Sequence, residues 1–174
     1  MNQTKLTDFF IIKRSKNTQS KVSDNNRIIY NPIKNIQHNN SEKIYILRFD
    51  GASKGNPGKA GAGAVIYEND KEIWTISRYL GKQTNNYAEC SAMVLGIQEA
   101  YNREIRNLRV EGDSMLIINQ LKGKWQIKNN DLKELHSLIK MKLKSFNNIT
   151  YNHIYRKYNT RADELANLSI SKKN

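Results

Sequence analysis

Three strand-like segments follow one another closely between residues 43 and 80, and this spacing constrains the fold strongly. Residues 43–50, 60–67 and 73–80 are rich in apolar and β-branched side chains. The linker at residues 51–58 holds three glycines and a proline, and residues 68–71 read Glu-Asn-Asp-Lys, so both linkers are predicted to be turns. Linkers this short join antiparallel neighbours, which predicts a three-stranded antiparallel meander.

Helices and strands alternate over the rest of the chain. The predicted elements are, in chain order, a helix over residues 86–101, a strand over 108–112, a helix capped by Ser114, a helix over 131–146, a strand over 149–155 and a helix over 161–171. The complete predicted order is therefore βββαβααβα. This order indicates an α/β (α+β) domain with a five-stranded mixed sheet flanked by helices.

Residues 1–42 differ in composition from residues 43–174. Asn, Ser, Gln and Lys dominate residues 15–41, and so few apolar side chains cannot offset the entropy of ordering. We therefore predict a disordered tail followed by one folded domain. The net charge is +13, of which the tail supplies +4 and the domain +9. A basic domain favours nucleic acid as a partner, although an ordinary lysine-rich surface is the alternative.

The location of the protein is constrained by its single cysteine and its short apolar runs. Cys90 is alone in the sequence, so no intramolecular disulfide can form and a reducing compartment fits. The apolar run at residues 9–12 is shorter than the roughly 7–15 residues of a signal-peptide core, and no run approaches the roughly 20 of a membrane span. We expect an intracellular protein of the nucleus or cytoplasm that is not secreted and does not contact a membrane.

Four acidic residues lie where structural roles alone explain them poorly. Asp50 and Asp113 end the first and fourth predicted strands, and Glu89 and Asp163 lie in the first turns of predicted helices. Strands one and four are plausible neighbours, and converging carboxylates are tolerated when a hard cation such as Mg²⁺ neutralises them. Taken singly, the two strand-end acids could instead form turns, and the two helical acids could complement helix dipoles. Residues 160–163 also resemble a capping box.

Four motifs resemble those of the type 1 ribonuclease H family. They read DGASKGNPG at residues 50–58, TNNYAE at residues 84–89, GDS at residues 112–114 and NTRADELA at residues 159–166. They follow the family's order and its βββαβααβα pattern over about residues 43–171. The short basic segment at residues 122–130 is similar to the connector of the plant-like or archaeal-like branch, and the tail does not resemble a hybrid-binding domain. A ribonuclease H-like fold is expected.

The resemblance implies a Mg²⁺-dependent endonuclease that cuts the RNA strand of RNA–DNA hybrids and leaves 5′-phosphate and 3′-hydroxyl ends. It implies two ions, with Mn²⁺ as an alternative, held by four acids. By position, Asp50 would bridge both ions. Glu89 and Asp113 would hold the ion on the leaving-group side, and Asp163 would hold the ion that activates water. We expect the enzyme to be a monomer.

Substrate contacts are also implied by the resemblance. The implied contacts are ribose hydroxyls for Gly51 and Ser53, a DNA phosphate for Thr84, the minor groove for Asn85 and Asn86, and the DNA backbone for Lys128 and Asn129. Residues 84–86 could equally be a polar loop that caps a helix. Trp125 either packs on a sugar or fills the core.

Many family members carry a histidine in the loop before the last helix, and this chain departs from that pattern. Residues 155–159 read Tyr-Arg-Lys-Tyr-Asn. His153 falls within the fifth predicted strand and is predicted to be a packed strand residue. We therefore assign no histidine as a general acid or base.

The N-terminal sequence QTKLTDFF at residues 3–10 resembles the sliding-clamp (PCNA) interaction motif. Gln3, Leu6, Phe9 and Phe10 match its four positions. One tight helical turn would place the three apolar side chains on one side, and aromatic anchors dominate small interfaces of this kind. The match implies recruitment to replication sites, and a chance match in an apolar N-terminus is the alternative.

Two other functions remain open at this point. One is a noncatalytic hybrid-binding module tethered to the clamp, against which the presence of all four acids argues. The other is a different nuclease of the ribonuclease H-like superfamily, against which the signature at residues 50–58 argues.

Overall fold

The computed structural model describes residues 43–173, so the proposed tail, with its clamp motif at residues 3–10, lies outside the described residues. The division into tail and domain stays a prediction. The elements are β1 (Tyr45–Gly55), β2 (Gly58–Glu68), β3 (Lys71–Gln83), α1 (Asn85–Asn102), β4 (Asn107–Gly112), α2 (Met115–Leu121), α3 (Asn130–Leu143), β5 (Asn148–His153), a 3₁₀ turn (Arg156–Tyr158) and α4 (Thr160–Ser171). Apart from the 3₁₀ turn, this is the predicted order.

The five strands form one mixed sheet in the order β3-β2-β1-β4-β5. The pairs β1–β2 and β2–β3 are antiparallel, whereas β1–β4 and β4–β5 are parallel. The predicted meander, the predicted neighbours β1 and β4, and the fold class are therefore confirmed. Because β1 and β4 run in the same direction, residues that follow β4 lie beside the second half of β1.

The predicted turn at residues 51–58 is wrong in its extent. β1 and β2 stay paired as far as Gly55 and Gly58, so the turn is limited to the two residues between them. Gly55 has a φ of +92°, which glycine adopts without strain. Gly51 is needed for a different reason, since a β-carbon there would lie 2.1 Å from the backbone nitrogen of Glu89. Gly51, which is part of the segment predicted to be a turn, instead allows α1 to approach β1.

Helices pack on both faces of the sheet. On one face, α1 approaches so closely that a β-carbon at Gly96 would lie 2.3 Å from Leu47 Cδ1. On the other face, α4 crosses β2, and a β-carbon at Gly63 would lie 2.3 Å from the carbonyl oxygen of Ala162. The core lies in these two layers. Within residues 43–173, no helix combines the length and apolar character of a membrane span.

Several expectations about single residues are corrected by the structure. Trp125 is 49 % exposed, so the prediction that it fills the core is wrong. His153 ends β5 with an exposed side chain, so it is not a packed strand residue. The third helix ends at Leu143, but Phe146 beyond it is still buried. The chain turns back there, and the backbone of Asn147 donates a hydrogen bond of 2.8 Å to the carbonyl oxygen of Arg106.

Candidate active site

The four acids lie on or directly beside four different elements. Asp50 is the sixth of eleven residues in β1, so the prediction that it ends the strand is wrong. Its neighbour β4 is shorter and ends at Gly112, which places Asp113 just beyond it. Glu89 lies in the second turn of α1, one turn later than predicted, because the helix begins at Asn85. Asp163 lies in the first turn of α4, as predicted.

Asp50 is the most strongly perturbed of the four acids. It is 6 % exposed, and its Oδ1 accepts a hydrogen bond of 2.8 Å from the backbone of Gly51. Burial, followed by the charge of Asp113, raises the pKa of Asp50 to about 8. The Gly51 hydrogen bond opposes this increase, and the charges of Glu89 and Asp163 add to it. The four acids therefore form one electrostatically coupled cluster, which we call the carboxylate cluster.

Glu89 is also largely withdrawn from solvent. Its Oε1 accepts a hydrogen bond of 2.9 Å from the side-chain amide of Asn85. Its Oε2 is buried and has no hydrogen-bond partner among the described residues. Burial raises the pKa of Glu89, the hydroxyl of Ser114 and the amide of Asn85 lower it, and the charge of Asp113 raises it. A buried carboxylate oxygen without a donor is costly unless a cation completes the site.

Asp113 is held by Asn159, which is 1 % exposed. The side-chain nitrogen of Asn159 donates to Asp113 Oδ1 at 2.7 Å and to the carbonyl oxygen of Phe49 at 2.9 Å. The side-chain amide of Asn159 therefore connects Asp113, just after β4, to the backbone of Phe49, which precedes Asp50 in β1. The ring nitrogen Nε2 of His153 also lies 3.2 Å from the carbonyl oxygen of Asp113. The start of α4 and the end of β5 thus both fix the position of Asp113.

Asp163 is paired with Arg156 from the 3₁₀ turn. The guanidinium donates to Asp163 Oδ1 at 2.9 Å, and both side chains are partly exposed. This hydrogen bond and the charges of Asp163 and Asp50 raise the pKa of Arg156. The suggested capping box at residues 160–163 is wrong, because the residue before α4 is Asn159 and its side chain makes no capping hydrogen bond. The first-turn position of Asp163 still complements the helix dipole.

The cluster has the donor chemistry of a Mg²⁺ site, although its side chains do not converge. Within residues 43–173, no three acidic, histidine or cysteine side chains are close enough to enclose one ion. Glu89, Asp113 and Asp163 each take a hydrogen bond from a neighbouring side chain instead. Their oxygens are nevertheless the ligands that Mg²⁺ prefers. A divalent cation would satisfy the unpartnered oxygen of Glu89 and offset the repulsion around Asp50, so the residues fit the ion.

Residues that the resemblance assigns to substrate contacts lie partly beside the cluster. Thr84 caps α1 by accepting a hydrogen bond of 3.2 Å from the backbone of Tyr87, so the capping interpretation is confirmed. The backbone of Asn85 donates to Asn56 Oδ1 at 3.1 Å, which ties the start of α1 to the β1–β2 turn. Ser53 Oγ lies 2.8 Å from the carbonyl oxygen of Gln83.

The remaining substrate candidates have different surroundings. Asn86 is exposed, whereas Gly51 is buried against α1. Lys128 and Asn129 are exposed before α3, and Asn129 caps that helix by accepting a hydrogen bond of 3.0 Å from the backbone of Leu132. Their roles toward a substrate stay predictions.

Two residues that hold the acids had no role in the sequence analysis. Asn159 opens the fourth motif, but the sequence pattern assigned it no contact. Arg156 was noted only because the loop lacks a histidine. Their spacing in the sequence could have indicated these roles. Arg156 begins the 3₁₀ turn, Asn159 follows it, and Asp163 lies in the first turn of α4, so the three residues are close together.

The sequence is similar to a family model and to several known proteins. Residues 48–169 match the family model described as "Reverse transcriptase-like". The bifunctional protein Rv2228c of Mycobacterium tuberculosis is 35 % identical over 124 residues, which cover 70 % of this chain and 34 % of that protein. Ribonuclease H of Chlorobaculum parvum is 32 % identical over 146 residues, covering 74 % of this chain and 97 % of that one. The chain thus spans about a third of Rv2228c but nearly all of the Chlorobaculum enzyme.

Solved structures show the same architecture. The N-terminal RNase H domain of Rv2228c superposes with a TM-score of 0.72 at 32 % identity, covering 75 % of this chain and 96 % of that one. LC11-RNase H1, solved in complex with an RNA/DNA hybrid, superposes with a TM-score of 0.69 at 35 % identity, covering 74 % and 98 %. The similarity therefore extends over nearly the whole of each of these solved chains.

Proposed function

Because the chain belongs to the type 1 ribonuclease H family, we propose that it hydrolyses the RNA strand of RNA–DNA hybrids. The observation that carries the proposal is the carboxylate cluster, in which a buried Asp50 is coupled to three acids from separate elements. Such an arrangement is unfavourable for the fold alone and is typical of a site that binds a cation. The similarity to LC11-RNase H1, which was solved with a hybrid, supports the choice of substrate.

The chemistry depends on which oxygens face the scissile phosphate. We assign two Mg²⁺ ions, with Mn²⁺ as an alternative, to Asp50, Glu89, Asp113 and Asp163. When bound, the ions would neutralise the phosphate and lower the pKa of the attacking water. Asp50 would be shared between the ions, Glu89 and Asp113 would serve the leaving-group side, and Asp163 would serve the attacking side. The products would carry 5′-phosphate and 3′-hydroxyl ends.

Neighbouring residues would keep these oxygens in place and recognise the substrate. Asn159 orients Asp113, and Asn85 orients Glu89, through the hydrogen bonds described above. An enzyme that cuts only RNA must sense the ribose 2′-hydroxyl, and the polar side chains at the start of α1 are suited to this. The proposed contacts are those of Gly51, Ser53, Thr84, Asn85, Asn86, Lys128 and Asn129.

One assay distinguishes this function from its alternatives. The full chain is mixed with end-labelled RNA–DNA hybrid, duplex DNA or duplex RNA, with Mg²⁺ or with a chelator. We expect cleavage of the RNA strand of the hybrid alone, and only with the metal. Binding of the hybrid without cleavage at any Mg²⁺ or Mn²⁺ concentration would instead identify a noncatalytic module. Cleavage of duplex DNA would identify another nuclease of the superfamily.

We also propose that a sliding clamp recruits the enzyme through Gln3, Leu6, Phe9 and Phe10. Support comes from the sequence match, since these residues lie outside the described part of the chain. The roughly 30 residues between the motif and the domain, if they form the flexible tether that their composition predicts, would have an end-to-end distance of roughly 30 Å, enough to hold the enzyme near clamp-loaded DNA. This proposal implies a replication-associated enzyme of the nucleus or cytoplasm.

Clamp binding and cleavage should be separable. Replacing Phe9 and Phe10 with alanine should abolish clamp binding in a calorimetric titration, because both aromatic anchors are removed. Cleavage of a free hybrid should remain nearly unchanged. Unchanged clamp affinity would contradict the assignment of the motif, and lost cleavage without any clamp would place the phenylalanines in the fold.

A further inference from the structure

The segment between β5 and α4 presents two exposed tyrosines that the proposed chemistry does not use. Tyr155 is 72 % exposed and Tyr158 is 56 % exposed, although their rings are large and mostly apolar. Tyr155 directly precedes the 3₁₀ turn, and Tyr158 is its last residue. Tyr155 and Tyr158 are three positions apart and both are exposed, so this short segment presents two aromatic rings to solvent. We call these two side chains the tyrosine pair.

The tyrosine pair is held in place by its surroundings. The backbone of Tyr158 donates to the carbonyl oxygen of Tyr155 at 2.8 Å, which closes the turn. The ring of His153 meets the ring of Tyr155 edge to face, with 6.3 Å between centroids. Asn159, directly after the turn, is buried in the cluster. A tyrosine has few rotatable bonds, so little entropy remains to be lost when this surface binds a ligand.

The tyrosine pair adjoins both the acids and positive charge. Arg156, between the two tyrosines in sequence, donates to Asp163. The ammonium of Lys157 lies 4.9 Å from the centroid of the Tyr158 ring. A polyanion that approaches the four acids is repelled by them before any metal binds, and the cations of this segment offset that repulsion. Apolar rings mixed with cations match a nucleic-acid backbone, which alternates sugars with phosphates.

We propose that the tyrosine pair binds the sugar–phosphate backbone of the hybrid strand that is cut, on nucleotides next to the scissile phosphate. The rings pack against ribose, and the phenol hydroxyls donate to phosphate oxygens. Paired bases stay stacked inside a duplex, so the sugars and phosphates are the parts that this surface can reach. The inference rests on the proposed function for its substrate, and it adds a positioning surface that the acids do not supply.

The test compares two double variants with a matched control. In Tyr155→Ala/Tyr158→Ala both rings are lost, whereas Tyr155→Phe/Tyr158→Phe keeps them and removes the hydroxyls. The control is Tyr101→Ala, another exposed tyrosine, at the far end of α1 from Glu89. Twelve helical residues separate it from Glu89, which is about 18 Å. Melting temperatures of all variants check that the fold is intact.

Hybrid binding is measured by fluorescence anisotropy in chelator, and cleavage in Mg²⁺ gives kcat and KM. We expect the alanine pair to raise Kd and KM by about tenfold, in the range of lost aromatic contacts to nucleotides, with kcat within about twofold of wild type. The phenylalanine pair should recover most of the loss, and Tyr101→Ala should match wild type. An unchanged Kd for the alanine pair overturns the inference and leaves exposed tyrosines without a role in binding.

The outcomes separate this inference from the proposed function. If the wild type binds the hybrid but does not cut it, the proposed catalytic function fails, and the Kd comparison still decides the role of the tyrosine pair. If the wild type cuts the hybrid and the alanine pair binds equally well, only the tyrosine inference fails. If the wild type neither binds nor cuts the hybrid, both are overturned.

Discussion

The inner and outer halves of the carboxylate cluster are held in different ways. The inner half, Asp50 and Glu89, lies on β1 and α1, and both acids have raised pKa values caused first by burial. Asp50 is buried, whereas Glu89 is partly buried and also accepts a hydrogen bond from Asn85. The outer half, Asp113 and Asp163, receives hydrogen bonds of 2.7 and 2.9 Å from Asn159 and Arg156. Core packing places the inner acids, whereas side chains of the segment before α4 hold the outer ones.

This difference indicates how stability and function are divided within the site. The inner acids are positioned by the contact between Gly51 and α1, so they stay in place even though their charges are poorly solvated. The outer acids have polar partners, which can release them when a cation arrives. We therefore expect substitutions in the two halves to agree in their effect on cleavage and to disagree in their effect on stability.

The largest expected effect is on cleavage, and it should be common to both halves. Asp113→Asn and Asp50→Asn should each lower kcat by at least about a thousandfold, because an amide cannot supply the charge that binds the metal. Hybrid binding in chelator should be retained. Asp70→Asn, which changes an exposed acid in the β2–β3 turn, is the control and should cleave normally. Wild-type turnover by Asp113→Asn in Mg²⁺ would refute the site assignment.

The pH dependence of stability should separate the halves. The folded pKa of Asp50, about 8, is above its usual value of 3.8, so the folded protein holds this proton more tightly than the unfolded chain. The free energy of unfolding should therefore fall as pH rises from about 4 to about 8 and then level off. Asp50→Asn should remove much of this fall, which amounts to several kcal/mol at about 1.4 kcal/mol per unit.

The measurement is urea unfolding in chelator at several pH values between 5 and 8. Asp70→Asn should keep the wild-type slope, because that exposed acid does not take part in the cluster. If the free energy of unfolding of Asp50→Asn fell with pH as steeply as that of the wild type, the ionised Asp50 carboxylate would not be the group that destabilises the fold. Added Mg²⁺ should stabilise the wild type more than Asp50→Asn, since the ion needs the Asp50 carboxylate.

Asn159→Ala tests the connection between the two halves. This substitution removes the hydrogen bonds to Asp113 and to the Phe49 carbonyl. We expect cleavage to fall by about 10- to 100-fold, as for residues that orient metal ligands. Stability should fall by about 2 kcal/mol, because a buried carbonyl loses its donor. Asn167→Ala, on the exposed side of α4, is the control and should change stability by less than about 0.5 kcal/mol. Equal effects of the two substitutions would contradict a special role for Asn159.

The smallest expected effect concerns the stability contribution of the outer ion pair. Arg156→Ala should change the free energy of unfolding in chelator by less than about 1 kcal/mol, since the Arg156 side chain is mostly exposed and surface ion pairs contribute little. Urea unfolding at neutral pH measures this. If Arg156→Ala lowered the free energy of unfolding as much as Asn159→Ala, the outer ion pair would contribute to stability like a core interaction. The proposed difference between the two halves would then be wrong.

The sequence predicted the order of the elements and the four acids because both depend on local information. Helical spacing, turn residues and caps repeat over a few positions, and each acid lies inside a short motif. Thr84 and Ser114, for example, cap α1 and α2 as their residue types suggest. The same local rules misread residues 51–58, where glycines that indicate a turn lie within two long paired strands.

Contacts between distant parts of the chain decided everything else. Asn159 and Phe49 are 110 positions apart, and only the packing of α4 against the sheet brings them within 2.9 Å. Gly51 and Glu89 meet because α1 crosses β1, and no pattern in either segment states that distance. The raised pKa of Asp50 also follows from burial and from three acids on other elements. The identity of the acids was therefore a property of the sequence. Their division into a pair whose pKa values are raised by burial and a pair held from the segment before α4 depended on the tertiary structure, because burial and charge coupling act between residues that are neighbours only in space.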